Sequence, residues 1–476
     1  MQLLWLRHDL RLHDNSALHA AVASGPALAI YLITAGQWRQ HDEAPAKVDF
    51  WLRNLRLLST QLASLNIPLL IRQVDDYAGC AAVLSQVCQQ YAVTALHFNQ
   101  QYPLNEQRRD QSVVAALQAQ GISAHSYLDA VLFAPGTILT KSGGFFQVYG
   151  QFRKACQQRL QLSLPAVLAQ PARQTSTGIS SDAVPEQVAG FSFSNQRIRV
   201  LWPAGEEQAQ ARLEDFCASS IDHYAEQRDH PAVAGTSQLG VYLAAGVLSP
   251  RQCLHAALRA NQGEFASGNE GVSTWLNELL WREFYQHILV GYPRLSMQRA
   301  FRPETEALPW RHAPDELLAW QQGRTGVPLV DAAIRQLLAC GWMHNRLRMV
   351  VAMFLTKNLL LNWREGERFF MRHLIDGDFA ANNGGWQWSA STGTDSVPYF
   401  RIFNPFSQAQ KFDPQGKFIK HWLPELAHLP PKVLHNPKLL AASKERGEYP
   451  APMVDLAESR QRALAAFKSL KHLPRD

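Results

Sequence analysis

Short apolar runs alternate with longer amphipathic segments along the first 130 residues of the chain. Runs rich in β-branched and aromatic residues predict five strands, at Gln2–Leu6, Ala27–Ile33, Pro68–Gln73, Thr94–Phe98 and Ser123–Tyr127. Helical periodicity separates them at Ser16–Ser24, Ala46–Leu65, Ala81–Tyr91 and Asn105–Gln120. Because strands and helices alternate regularly, we predict an α/β fold, a doubly wound and Rossmann-like parallel sheet with helices on both faces.

The pattern changes in the second part of the chain. Residues 163–196 are rich in Ala, Pro, Ser, Thr, Gln and Gly without clear periodicity, which is typical of a linker on the surface. Helical periodicity then dominates, at Pro250–Asn261, Val272–Val290, Val327–Leu338, Asn345–Asn362 and Glu365–Ile375. We therefore predict an α/β domain over residues 1–130, a connector over 131–196 and an all-α domain over 197–476.

Composition narrows the classes of protein to consider. No apolar run reaches the roughly 20 residues of a membrane-spanning helix, and Arg7 interrupts the first apolar stretch, so we expect a cytoplasmic protein without a signal peptide. The six cysteines are scattered and show no zinc-binding spacing, so we expect free thiols and no metal. The net charge of +6 is compatible with a polyanionic partner or with an ordinary solvated surface.

Two nucleotide-binding motifs are missing. No G-x-G-x-x-G follows the first strand, and no G-x-x-x-x-G-K-[ST] occurs anywhere, which argues against an NAD-dependent dehydrogenase and against a nucleotide-hydrolysing enzyme. The first strand leads instead into a charged loop, Trp5–Asn15.

One predicted helix carries a mixed aromatic and charged stripe. Trp275, Glu278, Trp281 and Arg282 are spaced so that they share one face. Core packing is the alternative interpretation of the two indoles, but a buried carboxylate and guanidinium need partners. The stripe therefore indicates a candidate binding surface.

A second helix repeats this combination. Asn345, Arg348 and Met349 share a face, whereas Arg346 points in another direction and could meet a phosphate with its planar fork. A solvated helix face is the alternative for both arginines.

The segment Asp376–Trp388 combines carboxylates, amides, paired glycines and two tryptophans, which favours a turn that hydrogen-bonds a heterocyclic ligand. Its D-x-D pair lacks a third metal ligand at a suitable spacing. The Thr236–Gly240 run could present N–H and O–H groups to a pyrophosphate, although such runs are also common turns. Nine of the thirteen tryptophans lie at Trp275 or later, as a site that stacks bases would need.

On these segments the chain resembles the class I cyclobutane pyrimidine dimer photolyases of the photolyase/cryptochrome family. The resemblance extends from the Trp5–Asn15 loop to Arg401–Pro405 and is most specific at Asp376–Trp388 and Ser391–Asp395. It implies an all-α carboxy-terminal domain that holds a U-shaped FAD. It also implies light-driven electron donation from FADH⁻ to a flipped-out dimer in UV-damaged DNA, carried out by a monomer.

The resemblance assigns the flavin contacts to Tyr224, Thr236, Ser237, Gln238, Leu239, Gly240, Trp275, Arg282, Asn345, Arg348, Asp376, Asp378 and Asn382. Arg348 and Asp376 are expected to form an ion pair beside the isoalloxazine, and the Asn382 amide is expected to face its N5. The family usually has Arg and Ser where this chain has Gln238 and Gly240, so weaker phosphate anchoring is expected without loss of FAD.

Contacts to DNA and to the lesion are implied for Arg228, Glu278, Trp281, Asn345, Arg346, Met349 and Trp388. Trp281 and Trp388 would hold the dimer, and Arg228 and Arg346 would bind phosphates. Catalytic roles are implied for Glu278, as a hydrogen-bond donor to the dimer, and for Asn382. Trp386, Trp363 and Trp310 would conduct electrons from the surface to resting flavin, with core packing as the alternative for each.

An antenna chromophore is expected in the amino-terminal domain. His41, Asn105 and Glu106 match positions that contact 5,10-methenyltetrahydrofolate. Ser296 and Met297 depart from the pattern of folate-binding relatives, where Lys often stands at the second position. Folate is therefore favoured, with 8-hydroxy-5-deazaflavin and an empty site as alternatives.

Two related functions are alternatives to the repair of cyclobutane dimers. Many cryptochromes, which sense light without repairing DNA, carry Asp or Cys at the position of Asn382 and a long carboxy-terminal tail. A (6-4) photoproduct enzyme would show a histidine pair near the lesion, whereas here His344 is present but Met349 stands at the second position. Asn382 and the Trp281/Trp388 pair favour repair of cyclobutane dimers.

Overall fold

A computed structural model of the protein describes residues 1–470 and begins with a five-stranded parallel sheet. Its strands are β1 (Gln2–Leu6), β2 (Ala27–Ile33), β3 (Leu69–Gln73), β4 (Ala95–Asn99) and β5 (Ser123–Tyr127). They are arranged in the order β3-β2-β1-β4-β5, and Gln2 of the central strand pairs with Ala27 on one side and Ala95 on the other. The predicted doubly wound sheet is confirmed. The third strand begins one residue later than predicted, after Pro68, which has no N–H to donate to a ladder.

Helices cover both faces of this sheet and continue beyond it. In chain order the helices of the first 223 residues are Ser16–Ser24, Ala35–Gln40, Pro45–Ser64, Cys80–Gln90, Leu104–Gln118, Tyr149–Leu162, Gln196–Leu201 and Glu206–Ser219, with 3₁₀ turns at Tyr77–Gly79 and Ile221–His223. All seven residues of β2 are buried, as expected of a strand covered on both sides. Leu3, Trp5 and Leu28 form the core together with Leu84 and Leu117 from two helices.

Residues 163–195 contain no helix or strand, and part of this segment contacts β3 at one edge of the sheet. The Asp182 backbone N–H donates to Leu69 O (2.8 Å), and the Ile71 N–H donates to the Asp182 carboxylate (2.9 Å). Gln174 similarly bridges Ala27 and Asn66. The segment 163–195 thus covers the edge of β3, which would otherwise offer unpaired backbone groups to another chain.

The remainder of the described chain is helical. Its helices are Tyr224–Gln227, Gly240–Ala244, Pro250–Ala260, Glu270–Gly291, Pro314–Gln321, Pro328–Cys340, Asn345–Met353, Trp363–His373, Phe379–Ala390, Pro405–Phe412, Lys417–Trp422, Pro431–Leu434, Pro437–Ala442 and Leu456–Ser469. Short 3₁₀ turns lie at Pro293–Met297, Pro303–Ala307, Pro424–Leu426 and Lys444–Arg446, and a π-helical turn at Phe354–Asn358. Between β5 and residue 470 strand pairing is limited to a single bridge between Leu139 and Phe145, so the predicted all-α second part is confirmed.

Two predicted elements differ from the structure by more than a residue or two at their ends. The predicted helix Asn345–Asn362 ends at Met353 and passes into the π-helical turn Phe354–Asn358. The segment Asp376–Trp388, which we expected to form a turn, lies largely within the helix Phe379–Ala390. Paired glycines and asparagines have low helix propensity, but burial of Trp386 in this segment outweighs that preference.

Packing divides the chain into two compact units. The first comprises Met1–Ala225, Ser237–Ser296 and Ile375–Ala380, and the second comprises Glu226–Thr236, Met297–Leu374 and residues 381–470. The predicted domain limits at residues 130 and 196 do not coincide with this division and stay a prediction. The second unit has its own core, which includes Trp320, Leu337 and Trp386. Within residues 1–470 there is no helix with the length and apolar character needed to cross a membrane.

Candidate functional site

The Thr236–Gly240 run forms a tight loop, of which Ser237 and the residues after it belong to the first unit. Ser237 Oγ accepts a hydrogen bond from Trp275 Nε1 (3.2 Å), which leaves its own O–H able to donate to a ligand. Gln238 has a φ of +53°, a left-handed conformation that is uncommon for a residue with a side chain. Leu239 is buried and anchors the loop. This arrangement gives the loop a fixed shape with a hydroxyl donor, as a phosphate-binding loop requires.

Arg212, which the sequence analysis did not single out, contacts the same loop. Its Nη1 donates to Gln238 Oε1 (3.0 Å), and its guanidinium lies over the rings of Trp202 and Tyr242 at 5.2 and 5.7 Å. Arg212 therefore places a positive charge beside the loop, although this chain has Gln238 where the family usually has an arginine. No motif could have revealed Arg212, because it lies on a separate helix, 26 residues before Gln238.

The Asp376–Asp378 segment lies against Gly240 at the end of this loop. A methyl group at Gly240 would lie 3.1 Å from Asp376 Oδ2, so the absence of a side chain at Gly240 allows the Asp376 carboxylate to lie close to the backbone. Gln286 Nε2 donates to Asp378 Oδ2 (3.1 Å), and Lys47, almost fully buried, donates from Nζ to Gly377 O. The acidic segment is thus held by side chains from two helices.

The aromatic candidates of the first unit are also brought together. Phe216 packs at 5.3 Å from the Trp275 ring and edge-on at 5.9 Å from the Tyr224 ring. Tyr224 and Trp275 therefore flank a common aromatic cluster beside Ser237. Arg282 is half-buried and donates from Nη1 to Ala130 O. These contacts bring Tyr224, Ser237 and Trp275 together, and Gly240 with Asp376, within one unit.

Trp281 lies against a second ring. Tyr149 stacks on Trp281 with ring centroids 3.6 Å apart and an interplanar angle of 12°, and its hydroxyl donates to Asn277 O (2.6 Å). Trp281 and Glu278 are both half-buried on the helix Glu270–Gly291. Because Tyr149 covers one face of the indole, only the remaining half-exposed surface can meet a further flat group.

The second unit contains the helix that starts at Asn345. His344 caps it by accepting the Arg346 N–H at Nδ1 (3.2 Å), and burial lowers the pKa of the His344 imidazole to about 4. Arg348 Nε donates to Met343 O (2.8 Å), and Arg346 Nη1 lies 3.9 Å from Met349 Sδ. The predicted ion pair of Arg348 with Asp376 stays a prediction.

Arg346 and Arg228 share one carboxylate. Arg346 donates to both oxygens of Asp229, from Nη2 at 2.6 Å and from Nε at 3.2 Å, and Arg228 Nε lies 3.9 Å from Asp229 Oδ1. The Arg346 guanidinium also lies 4.6 Å above the Phe412 ring. The two arginines that were predicted to bind phosphates thus belong to one cluster, and Asp229 is a member that the sequence analysis missed.

Asn382 is held in one orientation. Its Nδ2 donates to Glu367 O (3.0 Å), so its Oδ1 is the atom that remains for a ligand. Asn383 donates to the Glu367 carboxylate (2.8 Å), and Gln387 donates to Asn383 Oδ1 (2.9 Å). An acceptor oxygen that is fixed in this way suits the N5–H of a reduced flavin.

Trp386 is enclosed in an apolar core. It is 2% exposed and packs edge-on against Phe370 (4.9 Å) and Trp320 (6.1 Å), and a methyl group at Gly366 would overlap its ring. No described residue pairs with Trp386 Nε1.

The other predicted tryptophans differ in exposure. Trp363 is 1% exposed, with the Arg364 guanidinium 4.6 Å above its ring, whereas Trp310 is half-buried at the margin of the same core. Trp388 is half-buried, which leaves part of its ring accessible. Trp386 and Trp363 are therefore enclosed, and Trp310 reaches the surface.

The predicted antenna residues lie close together in the first unit. The amide nitrogens of Gln37 and Asn105 lie 2.9 and 3.0 Å from His41 Nε2. His41 Nδ1 lies 3.6 Å from Glu106 Oε1, to which the Tyr77 hydroxyl donates (3.0 Å). His41, Asn105 and Glu106 are therefore brought together, and their contact with a chromophore stays a prediction.

A small cleft lies near the carboxyl ends of β1 and β2 and was missed by the sequence analysis. Trp5, Arg7, His8, Trp38 and Arg109 are among the residues that line it. Trp5 Nε1 and Arg7 Nε are buried without a partner in the described part of the chain, and burial lowers the pKa of His8 well below its usual value. Ligands of doubly wound sheets bind at this edge, but the cleft itself is too small to enclose a ring system.

Comparisons with known proteins agree with these observations. The family model for DNA photolyase matches residues 2–172, and the model for the FAD binding domain of DNA photolyase matches residues 275–469. A protein of Escherichia coli named deoxyribodipyrimidine photo-lyase is 46% identical over 98% of both chains. Among solved structures, a class III photolyase from Agrobacterium tumefaciens is 33% identical, with a TM-score of 0.88 over 99% of this chain and 98% of that one. A cryptochrome from Synechocystis is 28% identical, with a TM-score of 0.86 over 98% of both.

Proposed function

Since the chain belongs to the DNA photolyase family, we propose that it is a deoxyribodipyrimidine photo-lyase that uses light to split cyclobutane pyrimidine dimers in UV-damaged DNA. The observation that carries this proposal is the stack of Tyr149 on Trp281. A half-exposed indole with a second ring behind it offers a rigid platform for a pyrimidine that has left the helix. The matched FAD-binding domain identifies FAD as the cofactor.

FAD supplies the light-driven electron donation, and the chain orients the cofactor. The Ser237 hydroxyl and the backbone N–H groups of the Thr236–Gly240 loop bind its phosphates, and Arg212 adds positive charge beside Gln238. The fixed Asn382 amide presents Oδ1 to the flavin ring. The family resemblance assigns the remaining contacts to Arg282, Arg348, Asp376 and Asp378.

The lesion is bound by aromatic and polar side chains together. Trp281, supported by Tyr149, and Trp388 hold the dimer, and Glu278 and Asn345 hydrogen-bond its polar edge. Arg228 and Arg346 bind backbone phosphates, which makes affinity decrease as salt increases. Glu278, when protonated, donates a hydrogen bond to the dimer during splitting.

The indoles of Trp386, Trp363 and Trp310 keep the flavin reduced by passing electrons inward from the surface. Oxidation makes an indole N–H more acidic, but Trp386 Nε1 has no acceptor among residues 1–470. The Trp386 ring therefore retains its proton when it gives up an electron, and an electron from Trp363 restores it directly. The half-buried Trp310 exchanges electrons with solvent reductants.

We propose methenyltetrahydrofolate as the antenna, bound at His41, Asn105 and Glu106, in a protein that acts as a cytoplasmic monomer. An 8-hydroxy-5-deazaflavin is the alternative chromophore. The absorption spectrum of the chromophore released on denaturation distinguishes a folate from a deazaflavin, and a spectrum of FAD alone would contradict both.

The test of repair uses purified protein with reduced FAD and an oligonucleotide that contains one thymine dimer. We expect chromatography to show intact thymines after illumination and unchanged dimer after the same time in the dark. Trp281→Ala should weaken binding of dimer DNA, whereas Trp422→Ala, a tryptophan outside the proposed site, should not. Dimer binding without any light-dependent repair would contradict the enzyme and favour the light-sensing function of the cryptochromes.

A further inference from the structure

Asp229 forms an ion pair with Arg346, one of the two arginines that we propose bind DNA phosphates. Arg346 makes two hydrogen bonds to the Asp229 carboxylate, through Nη2 (2.6 Å) and Nε (3.2 Å). This two-pronged geometry is the one in which a guanidinium binds a phosphate. A phosphate and Asp229 would therefore compete for the same edge of Arg346.

The surroundings of the pair make this competition reversible. The Arg346 and Asp229 side chains are 18% and 32% exposed, so water and DNA can reach both. The Arg346 guanidinium also rests 4.6 Å above Phe412, a contact that does not depend on Asp229. Arg346 can therefore exchange one anion for another while its position over Phe412 persists.

The acidic side chain also lowers the positive charge of the cluster. Asp229 Oδ1 lies 3.9 Å from Arg228 Nε, so one carboxylate faces both arginines. A phosphate that approaches Arg346 or Arg228 is repelled by Asp229 at the same time as it is attracted. This repulsion acts equally on damaged and on repaired DNA, because the phosphates are the same in both.

We propose that Asp229 promotes the release of repaired DNA by recapturing Arg346 from the backbone phosphate. This rests on the proposed function, in which Arg228 and Arg346 bind phosphates. Once the dimer is split, the contacts of the flipped bases are lost, and the phosphate contacts alone retain the product. A carboxylate that competes for Arg346 shortens the lifetime of this product complex and lets the protein search again.

The test compares wild-type protein with Asp229→Asn on undamaged DNA duplexes, which represent the product. We expect Asp229→Asn to bind about threefold to tenfold more tightly and to dissociate correspondingly more slowly. The slope of log affinity against log salt should become steeper by about one, because one more phosphate contact is made without competition. Repair under continuous light with excess dimer DNA should become slower per enzyme molecule. Unchanged affinity and salt slope would overturn the proposal.

Three controls separate this competition from a general effect of charge. Glu316→Gln removes the same charge from a similar pair, because Glu316 binds both Arg311 nitrogens at 2.6 and 2.8 Å with comparable exposure. An equal gain of affinity in Glu316→Gln would overturn the proposal. Asp229→Glu should behave like wild type. In an Arg346→Ala background, Asp229→Asn should lose most of its effect, and a full effect there would also contradict the proposal.

These results remain decisive if repair fails. A wild-type protein that binds DNA but shows no light-dependent repair would refute the enzyme, while the affinities of wild type and Asp229→Asn would still test the competition for Arg346. Normal repair with no difference in DNA affinity between the two would refute only the role of Asp229.

Discussion

Trp281 and Trp386 are the same residue type in two opposite environments. Trp281 is half-buried, with Tyr149 stacked on one face and the rest of its surface partly accessible. Trp386 is 2% exposed and enclosed by Phe370, Trp320 and the helix that carries Gly366. A partly exposed indole can stack on a ligand, whereas an enclosed one can exchange only electrons with its surroundings.

This difference assigns roles that sequence alone could not separate. Core packing was the alternative for every tryptophan, and spacing along a helix does not tell how much of a ring is covered. Exposure and the nature of the neighbouring rings make the distinction.

Replacement of Trp386 should have the largest effect. Trp386→Phe removes the easily oxidised ring nearest the flavin in the proposed chain, so light-driven reduction of oxidised flavin should be almost abolished. The flavin absorption spectrum during illumination with an external reductant measures this. Trp320→Phe, which changes an equally buried indole of the same core, should retain photoreduction. Equal loss in both variants would contradict the separate role of Trp386.

Gly366→Ala should destabilise the tryptophan core. The added methyl group would overlap the Trp386 ring, and overpacking of this kind costs about 1–3 kcal/mol, more than the roughly 1 kcal/mol gained in helix propensity. Urea unfolding should show a lower midpoint. Gly385→Ala is the matched control, since a methyl group there would have no described neighbour within 4 Å, and it should not destabilise the protein. Equal stability of both variants would contradict tight enclosure of Trp386.

Unfolding measured over a pH series tests the polar surroundings of the helix Asn345–Met353, which carries the predicted lesion contacts Asn345, Arg346 and Met349. Burial lowers the pKa of His344 to about 4, so between about pH 6.5 and 4 the unfolded chain binds more protons than the folded one. Stability is therefore fully present above pH 6.5 and should decrease by about 1–2 kcal/mol by pH 5. His344→Asn retains a helix cap without this titration and should lose less stability over the same range. Equal losses would contradict the assignment.

Removal of the ring behind Trp281 should have the smallest effect. Tyr149→Ala eliminates the stacked pair and should weaken binding of dimer DNA by about 1 kcal/mol, a factor of about five. Competition binding on damaged and undamaged duplexes measures this. Tyr149→Phe keeps the ring and loses only the hydrogen bond to Asn277 O, so it should bind more like wild type. Unchanged affinity of Tyr149→Ala for dimer DNA would contradict a contribution of the stacked Tyr149 ring to binding at Trp281.

Sequence periodicity predicted the sheet and most helices because those patterns are local. It could not predict the helix Phe379–Ala390, where burial of Trp386 outweighs the low propensity of the glycines. Arg212, Asp229 and Tyr149 were missed because each acts on a residue that is distant in sequence or carries no motif of its own. The orientation of the Asn382 amide likewise depends on Glu367 O, a backbone atom that no sequence pattern specifies.

The most direct test of the account is the recovery of thymine absorbance when prereduced protein is illuminated with dimer-containing DNA. Wild-type protein and Trp386→Phe should both restore the absorbance, because the flavin is already reduced and the proposed dimer site at Trp281 is unchanged in both. Absence of recovery in wild-type protein that retains reduced flavin and binds the DNA would contradict the proposed repair.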